Sequence, residues 1–158
     1  MSTALKCAQR VAIYARVSTA SRTKHGDKVA YDQRPEVQED LLRGVAERRE
    51  WTVYRVYTDR ISGGKESRPA LDELMRDARR RQFEVVMVWR FDRFTRSTRH
   101  LVNALEEFRS LGIDFVSYEE AIDTASPLGK CMFSIVAAIA ELERNLITER
   151  VRTGLAHA

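Results

Sequence analysis

The chain has 158 residues, 44% hydrophobic and 32% charged, with a formal net charge of +4. That suits a single soluble globular domain with a real core and a short appendage. No apolar run approaches the ~18 residues of a membrane span, and the opening Met-Ser-Thr-Ala-Leu-Lys lacks the apolar centre of a signal peptide.

Cys7 and Cys131 stand far apart in no pattern, which argues against a disulfide framework or a zinc site and fits a reducing cytoplasm. His25, His100 and His157 show no ligand spacing. The positive charge is carried by 22 Arg against 5 Lys. Arginine offers a planar fork that matches phosphate oxygens and stays charged. A GC-rich genome would produce the same bias, so particular arginines have to be placed before it means anything.

The first predicted strand is Val11 to Val17, ending in Arg16-Val17-Ser18. Residues two apart in a strand share a face, so Arg16 and Ser18 fall together at its carboxyl end. By itself this reads first as a strand ending in a serine that starts a turn. Thr19 to Arg34 is polar and reads as a long loop. Pro35 opens a helix with Val37, Leu41, Leu42, Val45 and Ala46 as its apolar stripe. Thr52 to Tyr57 alternates like a strand and ends at Thr58-Asp59. Turn residues Ser62 to Ser67 follow, then Arg68-Pro69 and a helix burying Leu71, Leu74, Met75 and Ala78. Its back carries Arg76, Arg79, Arg80 and Arg81; of these, Arg79-Arg80-Arg81 reads as a solvated helix end, with a DNA patch as the alternative.

Val85 to Trp89 is a continuous apolar run, as in a parallel strand buried on both faces. It leads into Arg90-Phe91-Asp92-Arg93-Phe94-Thr95-Arg96-Ser97, with Trp89 and Phe91 expected in the core. Leu101, Leu105, Phe108 and Leu111 mark a third helix closed by Gly112. Ile113 to Tyr118 is the fourth strand, ending at Glu119-Glu120. The alternation predicts an α/β fold, a mostly parallel sheet of four to five strands flanked by helices.

The final element is longer. Ser126-Pro127 gives an N-cap and a first-turn proline. Met132, Phe133, Ile135, Val136, Ile139, Leu142, Leu146 and Ile147 then recur at three and four, giving about 25 residues or ~38 Å, to about Arg152. Its first half is apolar over most of its circumference, so it is expected to pack on a second subunit. An ordinary helix packed on its own sheet is the alternative.

In a parallel sheet the carboxyl ends share one edge, where ligands bind. That edge would collect Arg16 and Ser18, then Asp59 with Ser62 and Arg68, then Asp92, Arg93 and Arg96, then Glu119. Arginine is no ordinary base, but several arginines can stabilise an alkoxide and hold phosphate oxygens. A Ser-His-Asp arrangement, a nucleophile elbow and a Gly-rich phosphate loop are all missing from the sequence.

The motifs Tyr14-Ala15-Arg16-Val17-Ser18, Asp59-Arg60-Ile61-Ser62-Gly63 with Arg68-Pro69, Asp92-Arg93-Phe94-Thr95-Arg96-Ser97, Gly129-Lys130 and Glu143-Arg144 opening into Glu149-Arg150 closely resemble the catalytic domain of the serine site-specific recombinases, the resolvase/invertase family. The resemblance covers residues 10 to 153. It implies that Ser18 attacks a DNA phosphodiester, forms a 5′-phosphoserine and releases a 3′ hydroxyl, without metal, nucleotide or other cofactor. It implies further that Arg16, Arg68, Arg93 and Arg96 bind the phosphate. Asp92 is similar to a proton donor to the leaving oxygen, and Asp59 to a residue holding the arginines. Gln38 resembles a supporting glutamine, with Gln33 as the alternative because the loop after Ser18 is longer than in small resolvases. Arg144 and Arg150 resemble arginines meeting DNA or a partner subunit. The implied partners are double-stranded DNA and further copies of the chain, a homodimer assembling to a tetramer, with no membrane. Ser62 is a further candidate supporting residue and Lys65 a further candidate DNA or interface residue; structural pairing of Asp59 and Asp92, a turn role for Ser62 and a solvated Lys65 stay open beside these roles.

The expected layout is a catalytic core over 1–125, with the nucleophile strand and long loop at 10–34. A dimerisation and DNA-proximal helix spans 126–153 and a tail 154–158, and the family's C-terminal DNA-binding domain lies outside the chain. Two rival readings are a metal-dependent nuclease or phosphotransferase using Asp59, Asp92 and Glu119, and a non-catalytic oligomerisation module.

Overall fold

A computed structural model describes residues 8–18, 35–61, 67–95 and 97–156; the positions 19–34, Ser62, Lys65 and Arg96 lie outside them. In chain order the elements are β1 (Arg10–Ser18), α1 (Pro35–Arg48), β2 (Thr52–Ile61), α2 (Pro69–Arg79), β3 (Val85–Val88), α3 (Phe91–Phe94), α4 (Thr98–Leu111), β4 (Asp114–Ser117), β5 (Ile122–Asp123) and α5 (Pro127–Ala156). The sheet order is β2-β1-β3-β4-β5. The first four strands are parallel and β5 closes the edge antiparallel. This is the expected α/β fold.

The apolar pattern explains the layers. Val11 and Ile13 of β1 pack with Leu42, Val45 and Ala46 of α1 on one face. Ala12 and Tyr14 pack on the other face with Leu74 and Ala78 of α2 and Leu101, Leu105 and Phe108 of α4. β3 is buried at all four positions, because helices cover both of its faces. Gly112 ends α4 at φ 71°, the left-handed conformation expected of a terminating glycine.

Four details differ from expectation. β2 runs on past Tyr57 to Ile61, because its parallel pairing with β1 continues to Ser18↔Ile61. Asp59 therefore sits inside a strand. The segment after β3 folds into the single helical turn α3, and the expected four to five strands come to five, the last being the short antiparallel β5 that no local pattern places. Phe91 is 38% exposed, so it is not core, whereas Trp89 is buried. As the first residue of α3, Phe91 lies beyond the two covered faces of β3.

Helix α5 begins as its sequence implies: the Ser126 hydroxyl accepts the Gly129 N–H at 3.0 Å. A Cβ on Gly129 would stand 1.7 Å from the Asp123 carbonyl oxygen, so only glycine allows the helix to start this close to β5. The helix spans 30 residues, about 45 Å. Its first turns pack on α4 and β5, with Phe133 entering the core. From Glu141 to Gly154 every residue is exposed. Met132, Ile135, Ile139, Leu142, Leu146, Ile147 and Val151 leave an uncovered apolar stripe. The chain thus carries one helix whose apolar side its own sheet does not cover. Among the described residues no helix is long and apolar enough to cross a membrane.

Candidate active site

The parallel order brings the carboxyl ends of β1, β2, β3 and β4 to one edge. Arg16 and Asp59 are register partners on β1 and β2, and Ser18 pairs with Ile61 two residues further on. The Ser18 backbone closes β1 at this edge.

Asp59 is 2% exposed and is held by three donors. The Tyr14 hydroxyl donates to its Oδ2 at 2.9 Å. The Ala70 N–H donates to Oδ1 at 2.9 Å and the Leu71 N–H to Oδ2 at 3.1 Å. Those two amides belong to the first turn of α2, which has no side-chain cap of its own at Arg68. Asp59 therefore caps α2 from the neighbouring strand, satisfying N–H groups that a helix start leaves open. Arg68 is the N-cap residue, so its backbone is fixed by the same contact. Burial pushes the Tyr14 phenol up, and the adjacent Asp59 charge and hydrogen bond push it further; it stays a proton donor to Asp59.

Two arginines converge on α3. Arg16 donates from Nη2 to the Asp92 carbonyl at 2.8 Å, and Arg68 from Nη1 to the Phe94 carbonyl at 2.9 Å. One comes from β1 and the other from the start of α2. Both end on the one turn that also carries Arg93. The Asp92 carboxylate pairs with Arg90 Nε at 3.1 Å. Arg93 and Asp92 are both half-buried, and Gln38, near the start of α1, is fully buried.

The fold therefore gathers Arg16, Asp59, Arg68, Asp92 and Arg93 around the end of β1. It does not bring Arg144 or Arg150 into this cluster by any described contact; both lie on the exposed length of α5. Ser62, Lys65, Arg96 and Gln33 fall outside the described residues. Glu119 is exposed on the turn after β4. Both Asp59 oxygens are taken by N–H and O–H donors and Asp92 faces a guanidinium, surroundings that compete with a cation for the same lone pairs. Among the described residues no group of three His, Cys, Asp or Glu side chains is arranged to hold a metal.

Sequence reasoning passed over Tyr14. It lies in an apolar run and is fully buried. A hydroxyl in a fully buried strand must find an acceptor, and that requirement was available as a signal. Glu120, which touches the start of α3, carried no comparable signal.

This arrangement can hold an anion. A guanidinium tied to a backbone carbonyl presents its N–H groups in a planar fork, a geometry suited to phosphate oxygens. The family model "Resolvase, N terminal domain" matches residues 11–158. The "DNA-invertase" of Escherichia phage P1 is 44% identical over 100 residues, which are 63% of this chain and 53% of that protein. The "Transposon Tn917 resolvase" of Enterococcus faecalis is 32% identical over 142 residues, 90% of this chain and 67% of that protein. The solved N-terminal catalytic domain of TP901-1 integrase superposes with a TM-score of 0.73 at 36% identity, covering 87% of this chain and 98% of that one. The chain spans about half the length of the phage relatives it matches. With a family model matched along nearly its whole length and a catalytic-domain structure of the same shape, the chain belongs to the resolvase/invertase family of serine site-specific recombinases, as an N-terminal catalytic domain.

Proposed function

We propose that this chain cuts and rejoins double-stranded DNA through Ser18. The Ser18 hydroxyl gives its proton to solvent as its oxygen attacks a backbone phosphorus; a phosphoserine bond to the 5′ side forms, the bond from phosphorus to the 3′ oxygen breaks, and that oxygen leaves as a hydroxyl after taking a proton. Asp92 is the candidate donor of that proton. Arg16, Arg68, Arg93 and Arg96 hold the non-bridging oxygens and stabilise the charge that builds on them. Asp59 fixes Arg68 by capping α2. Gln38 supports the site from α1, Ser62 is a second supporting residue, and Lys65 meets DNA or the partner. The phosphoserine bond keeps the energy of the broken ester, so religation needs neither metal nor nucleotide.

One observation carries this reading: two arginines from separate elements are tied to the same turn, which also bears Asp92 and Arg93, at the end of the strand that ends in Ser18. The same reaction class is supported by kinship with proteins named invertase, resolvase and integrase.

The working assembly in this proposal is a dimer that becomes a tetramer on DNA, in the cytoplasm of a bacterial cell. The uncovered stripe on α5 is the subunit contact, and Arg144 and Arg150 meet DNA or the partner. Residues 1–125 are the catalytic core and 126–153 the assembly helix. Reading of the DNA sequence belongs to a domain outside these residues, as the greater length of the relatives suggests.

The test is capture of DNA in EDTA. Wild-type protein is expected to yield a denaturation-resistant protein–DNA adduct, and Ser18→Ala none. An adduct that needs a divalent metal, or that survives Ser18→Ala, would overturn the proposal.

A further inference from the structure

The turn α3 is one helical turn long, too short to be stable by itself. Its carbonyls are gripped by Arg16 and Arg68. Its amide end has another holder. The Phe91 N–H, the first of the turn, donates to Glu120 Oε2 at 3.3 Å. The same oxygen accepts the hydroxyl of Ser117, which is fully buried at the end of β4.

Two backbone bonds bring the Glu120 turn alongside: the Tyr118 N–H donates to Val88 O at 3.0 Å and the Glu119 N–H to Trp89 O at 2.9 Å. The chain then leaves through Ala121 at φ 52°, a left-handed conformation that an alanine adopts only at a cost. Glu120 is thus seated from below by the sheet and reaches sideways to the turn that bears Asp92 and Arg93.

We infer that Glu120 is a positioning residue for the DNA-cutting reaction, anchored by Ser117 and acting through the Phe91 amide to set Asp92 and Arg93. The inference rests on the reading of Ser18 as nucleophile. Glu120 touches none of the reacting groups; it fixes the near end of α3 while Arg16 and Arg68 fix its carbonyls. Loss of the acceptor frees the turn to rotate about those two contacts. Displacing Asp92 and Arg93 by a fraction of an ångström to an ångström then slows chemistry without weakening DNA binding.

The probe is the duplex that the wild-type intact protein captures covalently from a randomised library. Glu120→Ala is expected to form adduct on that duplex about 100-fold more slowly in a single turnover, with its dissociation constant for the duplex unchanged. Glu120→Gln keeps an oxygen for the Phe91 N–H and is expected to recover most of the rate. Hydrogen exchange should quicken at the Phe91 amide in the alanine variant alone. A wild-type rate for Glu120→Ala, equal slowing by alanine and glutamine, or a loss explained wholly by weaker binding would each overturn the inference. Should Glu120→Ala fail to fold, Ser117→Ala decides: slower adduct formation at unchanged affinity supports the inference, and a wild-type rate overturns it. If the wild type captures no DNA, or Ser18→Ala captures as much, the Ser18 reading itself falls. A Ser18-dependent adduct with no effect at Glu120 sinks only the positioning role.

Discussion

Two buried tyrosines donate to aspartates at opposite ends of α2, and the two pairs differ in what they hold. Tyr14 donates to Asp59 at 2.9 Å and Tyr57 to Asp77 at 2.6 Å. Burial raises both phenols first, and the carboxylate beside each raises them further. The local chemistry is the same. Asp59, however, also takes two amides of the first turn of α2 and so fixes Arg68. Asp77 sits in the last turns of α2, with Arg55 as a longer ionic partner at 3.9 Å, and touches none of the expected site residues. A tyrosine–carboxylate pair is therefore a general device for locking a helix to a strand. It becomes part of a site only when the locked end carries a functional side chain.

The largest effect should come from removing the shared acceptor. Asp59→Ala leaves three buried or half-buried donors without their partner and is expected to cost about 3 kcal/mol in urea unfolding, with adduct formation abolished. A stable, active Asp59→Ala protein would dissolve the distinction between the two pairs.

Next come the tyrosines. Tyr14→Phe and Tyr57→Phe should each cost about 1–2 kcal/mol, since each removes one hydrogen bond from a buried carboxylate. Only Tyr14→Phe is expected to slow adduct formation when rates are compared well below both melting temperatures. Equal slowing would mean that the site responds to general stability rather than to the Asp59 end of α2.

The smallest effect belongs to a carboxylate with no such donor. Asp114 has no side-chain hydrogen bond among the described residues. Burial raises its pKa above the ordinary 3.8, and the Asp123 charge adds to the rise, while Lys130 opposes it. A raised carboxyl pKa means that the folded state binds the proton more tightly than the unfolded one. The penalty is therefore present above the folded pKa and fades as pH falls toward the unfolded value. Asp114→Asn should raise the melting temperature modestly at pH 7 and lose that advantage below about pH 4. A gain that did not depend on pH would point to packing instead.

The elements were legible where one physical signal dominated. The continuous run Val85 to Val88 announces a doubly covered strand, and Ser126-Pro127 announces the start of α5. Arg16, Asp59 and Arg68 were legible as neighbours because a parallel sheet collects strand ends. The extension of β2 to Ile61 was not, since it depends on pairing with β1 rather than on alternation within Thr58 to Ile61. The exposure of Phe91 was hidden for a similar reason: the break after β3 turns one aromatic outward while Phe94, three residues on, is buried. Glu120 could not be read at all. A glutamate in a polar turn has the same local sequence whether it faces water or caps a neighbouring segment.

By itself the sequence determined the α/β class, which residues stand at the strand ends and a terminal helix with more apolar surface than its own sheet covers. Each follows from local periodicity, which the chain carries residue by residue. Tertiary structure alone decided how the charged groups are held. Asp59 serves an α2 amide pair, Arg16 and Arg68 grip one short turn, and Tyr14 and Glu120 join them through contacts between residues distant in sequence. Such contacts depend on strand order and register, and no stretch of local sequence encodes either.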